Sequence, residues 1–207
     1  KIFDNCVIAV KPQLIANVVP SYLPFISESA CVFSIAAGFS IESLTKIVGK
    51  RPIIRMMPNL PAEIGKGVTG YFGNPEASPN DEELAKLLTE SIGLSLQVLQ
   101  EEDLDKVTAV AGSGTGYAFE IIRCWIQAAE AIGLSADTSR EVVLATIGGA
   151  VDLASVKSDS IEHLRNSVTS PNGTTAAGLA ELRKDESMEK LMKATVEAAL
   201  TRAIELR

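Results

Sequence analysis

The hydrophobic pattern changes period once along the chain, near Glu101, and this change limits the fold more than any other feature. Before it, short apolar runs alternate with helical patterns. "NCVIAVKP", closed by Pro12, and "ACVFSIAAG", closed by Gly38, read as buried strands. "RPIIRMMPN", "GVTGYF" and "LSLQVL" read as three more. "SIESLTKIVG" carries a capping Ser40, Glu42 in the first turn and Gly49 as a stop. "SPNDEELAKLLTESIG" offers Asn80 as a cap, acids in its first turn and Gly93 at its end. Strands alternating with helices predict a parallel α/β sheet.

After Glu101 only helical patterns remain. Tyr117, Ile121, Ile122, Trp125, Ala129 and Ile132 mark one helix face, against Glu120, Arg123, Gln127 and Glu130 on the other. In "TSREVVLATIGGAVDLASV", Thr138 and Glu141 have capping-box spacing, and the rest is apolar nearly all round. A helix apolar on every side must be covered on every side, and a domain of about 100 residues has little interior to hide it. The expectation is a second copy of the chain as the cover, with Gly148 and Gly149 allowing close backbone approach. The last helix, from about Met188 to Leu206, turns Met188, Leu191, Met192, Val196, Ala199, Leu200 and Ala203 inward. Residues 1–100 therefore read as one domain and 101–207 as a second.

The net charge of −7 argues against a broad nucleic-acid surface, which is basic. Cys6, Cys31 and Cys124 are far apart, show no metal-ligand spacing, and read as reduced, mostly buried thiols of a cytoplasmic protein. No signal peptide is visible at Lys1. The most apolar run, "CVFSIAAGFSI", falls short of the roughly 20 residues that span a bilayer, so no membrane partner is expected.

"VTAVAGSGTGYAF" imitates a dinucleotide fingerprint but fails on spacing, because Tyr117 stands where the third glycine belongs. Its glycines read better as making room for a crowded helix start. The α/β half thus contains no phosphate-cradling glycine loop, and it enters a buried-type strand abruptly.

Near the other end, "VTSPNGTTAAGL" packs hydroxyls, a Pro, an Asn and two Gly into a short loop, with no His, Cys or carboxylate. Together with "VIAVKPQ", "SIAAGFSIESL", "RMMPNLPAEIGKGVTGY" and "EEDLDKVTAVAGSG", it makes the chain resemble the pyrroline-5-carboxylate reductases, in order and spacing over nearly its whole length. The resemblance implies an incomplete Rossmann-type parallel sheet followed by an all-α dimerisation domain with interlocked helices. Members of that family carry about 60–70 further N-terminal residues with the G-x-G-x-x-G fingerprint, which would account for the abrupt start.

The implied reaction is reduction of the cyclic imine 1-pyrroline-5-carboxylate to proline with NADPH or NADH, in a homodimer or higher homo-oligomer. By the same resemblance Ala9, Val10, Lys11 and Pro12 line the dinucleotide, and Ile35, Ala36 and Ala37 lie near the nicotinamide end. Ser170, Gly173, Thr174 and Thr175 hold the substrate. Backbone N–H groups and hydroxyls at a helix start suit a carboxylate, with Pro171 and Gly173 shaping the turn. A protonated imine needs positioning more than acid help, so Thr175 is assigned to orient or relay a proton to its nitrogen. The same loop would also serve an ordinary helix start.

Asn59, between two prolines, marks a rigid turn at a strand end, assigned to the cofactor, with a structural Asx turn as the alternative. Lys11 would meet a cofactor phosphate or ribose, or else be a solvated strand-end lysine. Glu101, Glu102 and Asp103 read as a solvated linker, and the lone His163 as a surface residue.

The chain departs from the family pattern at Leu60, Thr115, Gly116, Asn166 and Asn172. Such departures would also fit an inactive paralogue acting as a dimeric interaction protein. A hydroxyacid dehydrogenase is disfavoured, since no Lys stands between Ser113 and Ile132.

Overall fold

The computed structural model describes residues 2–207. They divide into two compact units, one made of residues 2–115 and 196–207, the other of residues 116–195.

The first unit is built on a five-stranded sheet in the order β1 (Phe3–Ile8), β2 (Ile26–Ser34), β3 (Ile53–Met57), β4 (Gly67–Gly73) and β5 (Gly93–Gln97). Each strand overlaps one of the five apolar runs, but β1 and β2 start before theirs, at Phe3 and Ile26. β1, β2 and β3 are parallel, β4 is antiparallel to β3, and β5 is parallel to β4. The parallel sheet expected from the sequence is therefore a mixed one. The reversal follows from the connection: β3 leads through a short 3-10 turn, Leu60–Ile64, straight into β4, too short a path for a parallel crossover.

The central strands are apolar on both faces because both are covered. On one face Val32 and Ile53 pack with Ile15 of α1 (Pro12–Val18) and with Leu44 and Val48 of α2 (Ile41–Val48). On the other, Cys31, Phe33, Ile54 and Met56 pack with Ala85 of α3 (Pro79–Glu90). Each such side chain, fully buried, contributes about 1.5–3 kcal/mol. β1 departs from the buried-strand expectation: it is the edge strand, and Phe3 and Val7 are half exposed.

Ser40 caps α2 by accepting the Ser43 N–H, and Gly49 ends it with φ +78°. α3 is capped by Ser78 in a box with Asp81, not by Asn80. Pro79 has no N–H to lose and a φ suited to the first helical position, so the helix starts there. It ends at Glu90, before Gly93, which instead opens β5.

α4 (Asp103–Val107) runs into a π-helical turn, Thr108–Gly112, and then α5 (Gly114–Ala131). The glycines do not relieve crowding here: a Cβ on Gly114 or Gly116 would meet nothing in this chain.

The second unit is helical: most of α5, α6 (Ala136–Val156), α7 (Ile161–Ser167), α8 (Thr174–Leu182) and the first turns of α9 (Ser187–Glu205). α6 is capped by Ser135, whose hydroxyl accepts the Thr138 N–H; Thr138, already inside the helix, is no cap. Along α6 only Ser139 and Val143 are buried, while Val142, Leu144, Val151 and Leu153 lie open. The apolar face of α5 is equally bare, with only Ala129 buried and Trp125 47% exposed. Leu191, expected inside, is exposed too, because it lines an apolar groove of about 790 Å³ with Ile121, Trp125, Leu182, Met188 and Met192.

Candidate functional site

Parallel pairing brings the ends of three strands to one edge of the sheet. Ile8 is level with Ser34, and Ser34 with Arg55. Ala9 to Pro12 therefore leave β1 beside Ile35 to Ala37 leaving β2, and the Ile35 N–H donates to the Ile8 carbonyl at 3.1 Å. Asn59 follows β3 at the same edge. Open α/β sheets place ligands in this position. Ala9, Lys11, Ile35 and Ala37 are exposed there, Val10 and Pro12 are half-buried, and Ala36 is buried with its N–H on the Ser34 hydroxyl at 3.3 Å. The small side chains leave the backbone open to a flat ring, and Lys11 supplies a cation. This set fits the nicotinamide and ribose end of a dinucleotide.

The Asn59 side chain is fully engaged within the fold. Its Oδ1 accepts the Val68 N–H at 2.8 Å, and its Nδ2 donates to the Ala111 carbonyl at 3.0 Å and the Thr115 hydroxyl at 3.4 Å. It ties the start of β4 to the π-helical turn, so the structural alternative describes its side chain.

Glu101 is no solvated linker residue. Its carboxylate accepts the Ile41 N–H at 2.8 Å, at the start of α2, and pairs with Arg55, which is 4% exposed. A charged residue inside the apolar run "PIIRMMP" was the sequence signal for such a partner, but nothing local says where it lies. Asp105 is buried as well, which raises its carboxyl above the usual range, opposed by the Arg207 and Arg55 charges. His163 is exposed on α7 with Asp159 at 3.8 Å.

In the second unit the hydroxyl loop lies between α7 and α8. The Thr169 hydroxyl donates to the Arg165 carbonyl at 2.7 Å, and the Gly173 N–H closes a turn on the Ser170 carbonyl at 3.0 Å. The left-handed residue of the turn is Asn172, at φ 57°, rather than Gly173, whose φ of −79° is ordinary. Gly173 is needed for a different reason: a Cβ there would run into the Ser170 hydroxyl. Gly173 is the N-cap of α8 and offers no side chain to the helix start. The N–H groups of Thr174, Thr175 and Ala176 are thus left without helical partners. Ser170, Thr174 and Thr175 are exposed around them. Amides, hydroxyls and the positive end of a helix dipole together make an anion-accepting arrangement.

A Rossmann-type sheet followed by a helical domain with bare apolar faces is an architecture found among dinucleotide-dependent oxidoreductases. Residues 101–206 match the family described as pyrroline-5-carboxylate reductase dimerisation. The chain is 37% identical to pyrroline-5-carboxylate reductase 2 of Bacillus subtilis, over 99% of this chain and 73% of that protein. It is 36% identical to the Pseudomonas aeruginosa pyrroline-5-carboxylate reductase, over 98% and 74%. Among solved structures, the Plasmodium falciparum enzyme with NADP bound superposes with a TM-score of 0.89 at 31% identity, covering 98% of this chain and 77% of that one. The Coxiella burnetii enzyme gives 0.90 at 34%, covering 98% and 76%. The chain belongs to the pyrroline-5-carboxylate reductase family.

Proposed function

We propose that the protein reduces 1-pyrroline-5-carboxylate to L-proline with NADPH or NADH. The observation that carries this reading is the start of α8, where N–H groups without helical partners stand among the exposed Ser170, Thr174 and Thr175. The substrate carboxylate is held there. Thr175 directs its hydroxyl at the ring nitrogen, orienting it or relaying a proton. The bound nicotinamide supplies the hydride. Ala9 to Pro12 and Ile35 to Ala37 line its site, Asn59 braces that edge through its side chain, and Lys11 faces the phosphate or ribose. Holding the imine carbon in register is the main demand on the protein, which is why the loop works without His or Cys.

Residues 1–100 serve as the cofactor domain and 101–207 as the substrate and association domain. The bare face of α6 and the match to a dimerisation family support a homodimer or higher homo-oligomer. The charge of −7 speaks against nucleic acid as a partner. Among the described residues no helix is long and apolar enough to cross a membrane. Three free cysteines favour a cytoplasmic location.

The test is consumption of NADPH or NADH on addition of pyrroline-5-carboxylate, in the full-length parent protein and in its Thr175→Ala variant. A lower kcat at saturating cofactor is expected for the variant. An unchanged kcat would remove Thr175 from the chemistry, and no consumption by the parent would overturn the reading.

A further inference from the structure

The loop between β2 and α2, residues 35–40, and the first residue of α2 are gripped at two points by one short segment, residues 101–105. The first grip is direct: Glu101 accepts the Ile41 N–H at 2.8 Å. The second runs through the residues that follow α9. The Arg207 guanidinium lies 3.3 Å from Asp105 Oδ2 and 3.4 Å from Glu102 Oε1. This pairing sets the Leu206 carbonyl against Gly38, where a Cβ would fall 2.7 Å from the oxygen.

Hydrophobic docking does not explain the approach, because Leu206 is 55% exposed and its neighbour Ile204 is 52% exposed. Gly38 meets the backbone of Leu206 with its own φ at +67°, so the loop is shaped to receive it. Asp105 Oδ2 is buried with no hydrogen bond, and the Arg207 charge, with that of Arg55 behind it, compensates its burial.

We propose that Arg207 and Asp105 are positioning residues for the nicotinamide cofactor: their ion pair holds Leu206 on Gly38 and so fixes residues 35–37. The proposal rests on the reading of that strand end as the nicotinamide site. Without the pair, the loop keeps its Glu101 anchor but becomes mobile at Gly38. Cofactor binding must then order it.

Hydrogen–deuterium exchange on the free protein tests the grip. Faster exchange at residues 35–40 is expected in Arg207→Ala, and Arg207→Lys should restore protection. Calorimetric titration with NADPH and steady-state kinetics test the consequence. In Arg207→Ala the Kd and KM for NADPH should rise about 3- to 10-fold with kcat nearly unchanged. Asp105→Asn should give the same shift, and the double variant little more. A lowered melting temperature with unchanged exchange at residues 35–40, or an unchanged Kd and KM, would overturn the proposal. A parent protein that binds no NADPH would overturn both the cofactor role and the reading beneath it. Binding with unchanged exchange in the variants would overturn the grip alone.

Discussion

Arg55, in the middle of β3, donates its guanidinium to the carboxylate of Glu101, 46 positions along the chain. The pair joins the sheet to the start of the segment that also holds α2, since the same carboxylate oxygen accepts the Ile41 N–H. Arg55 is almost wholly buried, so its charge depends on this partner.

Removing one member of such a pair leaves the other uncompensated. Glu101→Ala is expected to cost about 3 kcal/mol in urea denaturation. The apolar double variant Arg55→Met with Glu101→Leu should recover much of that loss, because the desolvation penalty of both charges disappears with them. Equal losses in the single and double variants would show that the pair is not the cause.

The strands were legible because both faces of β2 and β3 are covered, which makes "CVFS" and "PIIRMM" continuous apolar runs. Periodicity carries no strand direction, so the reversal at β4 was invisible. The caps were displaced for a local reason: Ser78 and Ser135 each stand upstream of another competent residue, and only the backbone decides between them. Glu101 looked like a linker because its partners, Ile41 and Arg55, are distant in sequence. The turn before α8 was legible from composition, and its left-handed position falls on Asn172, a residue type that accepts that backbone better than most.

That loop makes a contrasting pair of predictions. Asn172→Gly should change stability by less than about 0.5 kcal/mol, because glycine accepts the left-handed conformation at least as readily. Asn172→Val should cost about 1–2 kcal/mol at the same φ. Gly173→Ala meets the Ser170 hydroxyl, and it should raise the KM for pyrroline-5-carboxylate more than it lowers the melting temperature. Equal tolerance of all three substitutions would show that the turn geometry is immaterial.

Cys31 offers a test by pH. Burial first, then the charge and hydrogen bond of Asp81, push its thiol up to about 12 from an ordinary value of 9.0. The folded protein keeps the proton while the unfolded chain loses it above pH 9, so unfolding releases a proton in that window. The contribution of this group to stability is complete below pH 9 and erodes as pH rises toward 12, by about 1.4 kcal/mol per unit. Cys6 and Tyr71, also raised by burial, add to the alkaline loss. The difference between the parent and Cys31→Ala isolates Cys31 and should shrink with rising pH. A constant difference would contradict the shift.

The open face of α6 leads to a prediction about assembly. Leu153→Glu places a charge where an apolar partner surface is expected, and it should shift sedimentation toward the monomer. A variant that sediments like the parent would place the contact between copies elsewhere.

With a second copy as its cover, α6 also changes what a stability measurement means. Val142, Leu144, Val151 and Leu153, exposed in the single chain, would then leave water on association, and part of the folding free energy would be a mass-action term. Dilution would then act as a mild denaturant, and a melting temperature for this protein has meaning only beside the protomer concentration at which it was taken.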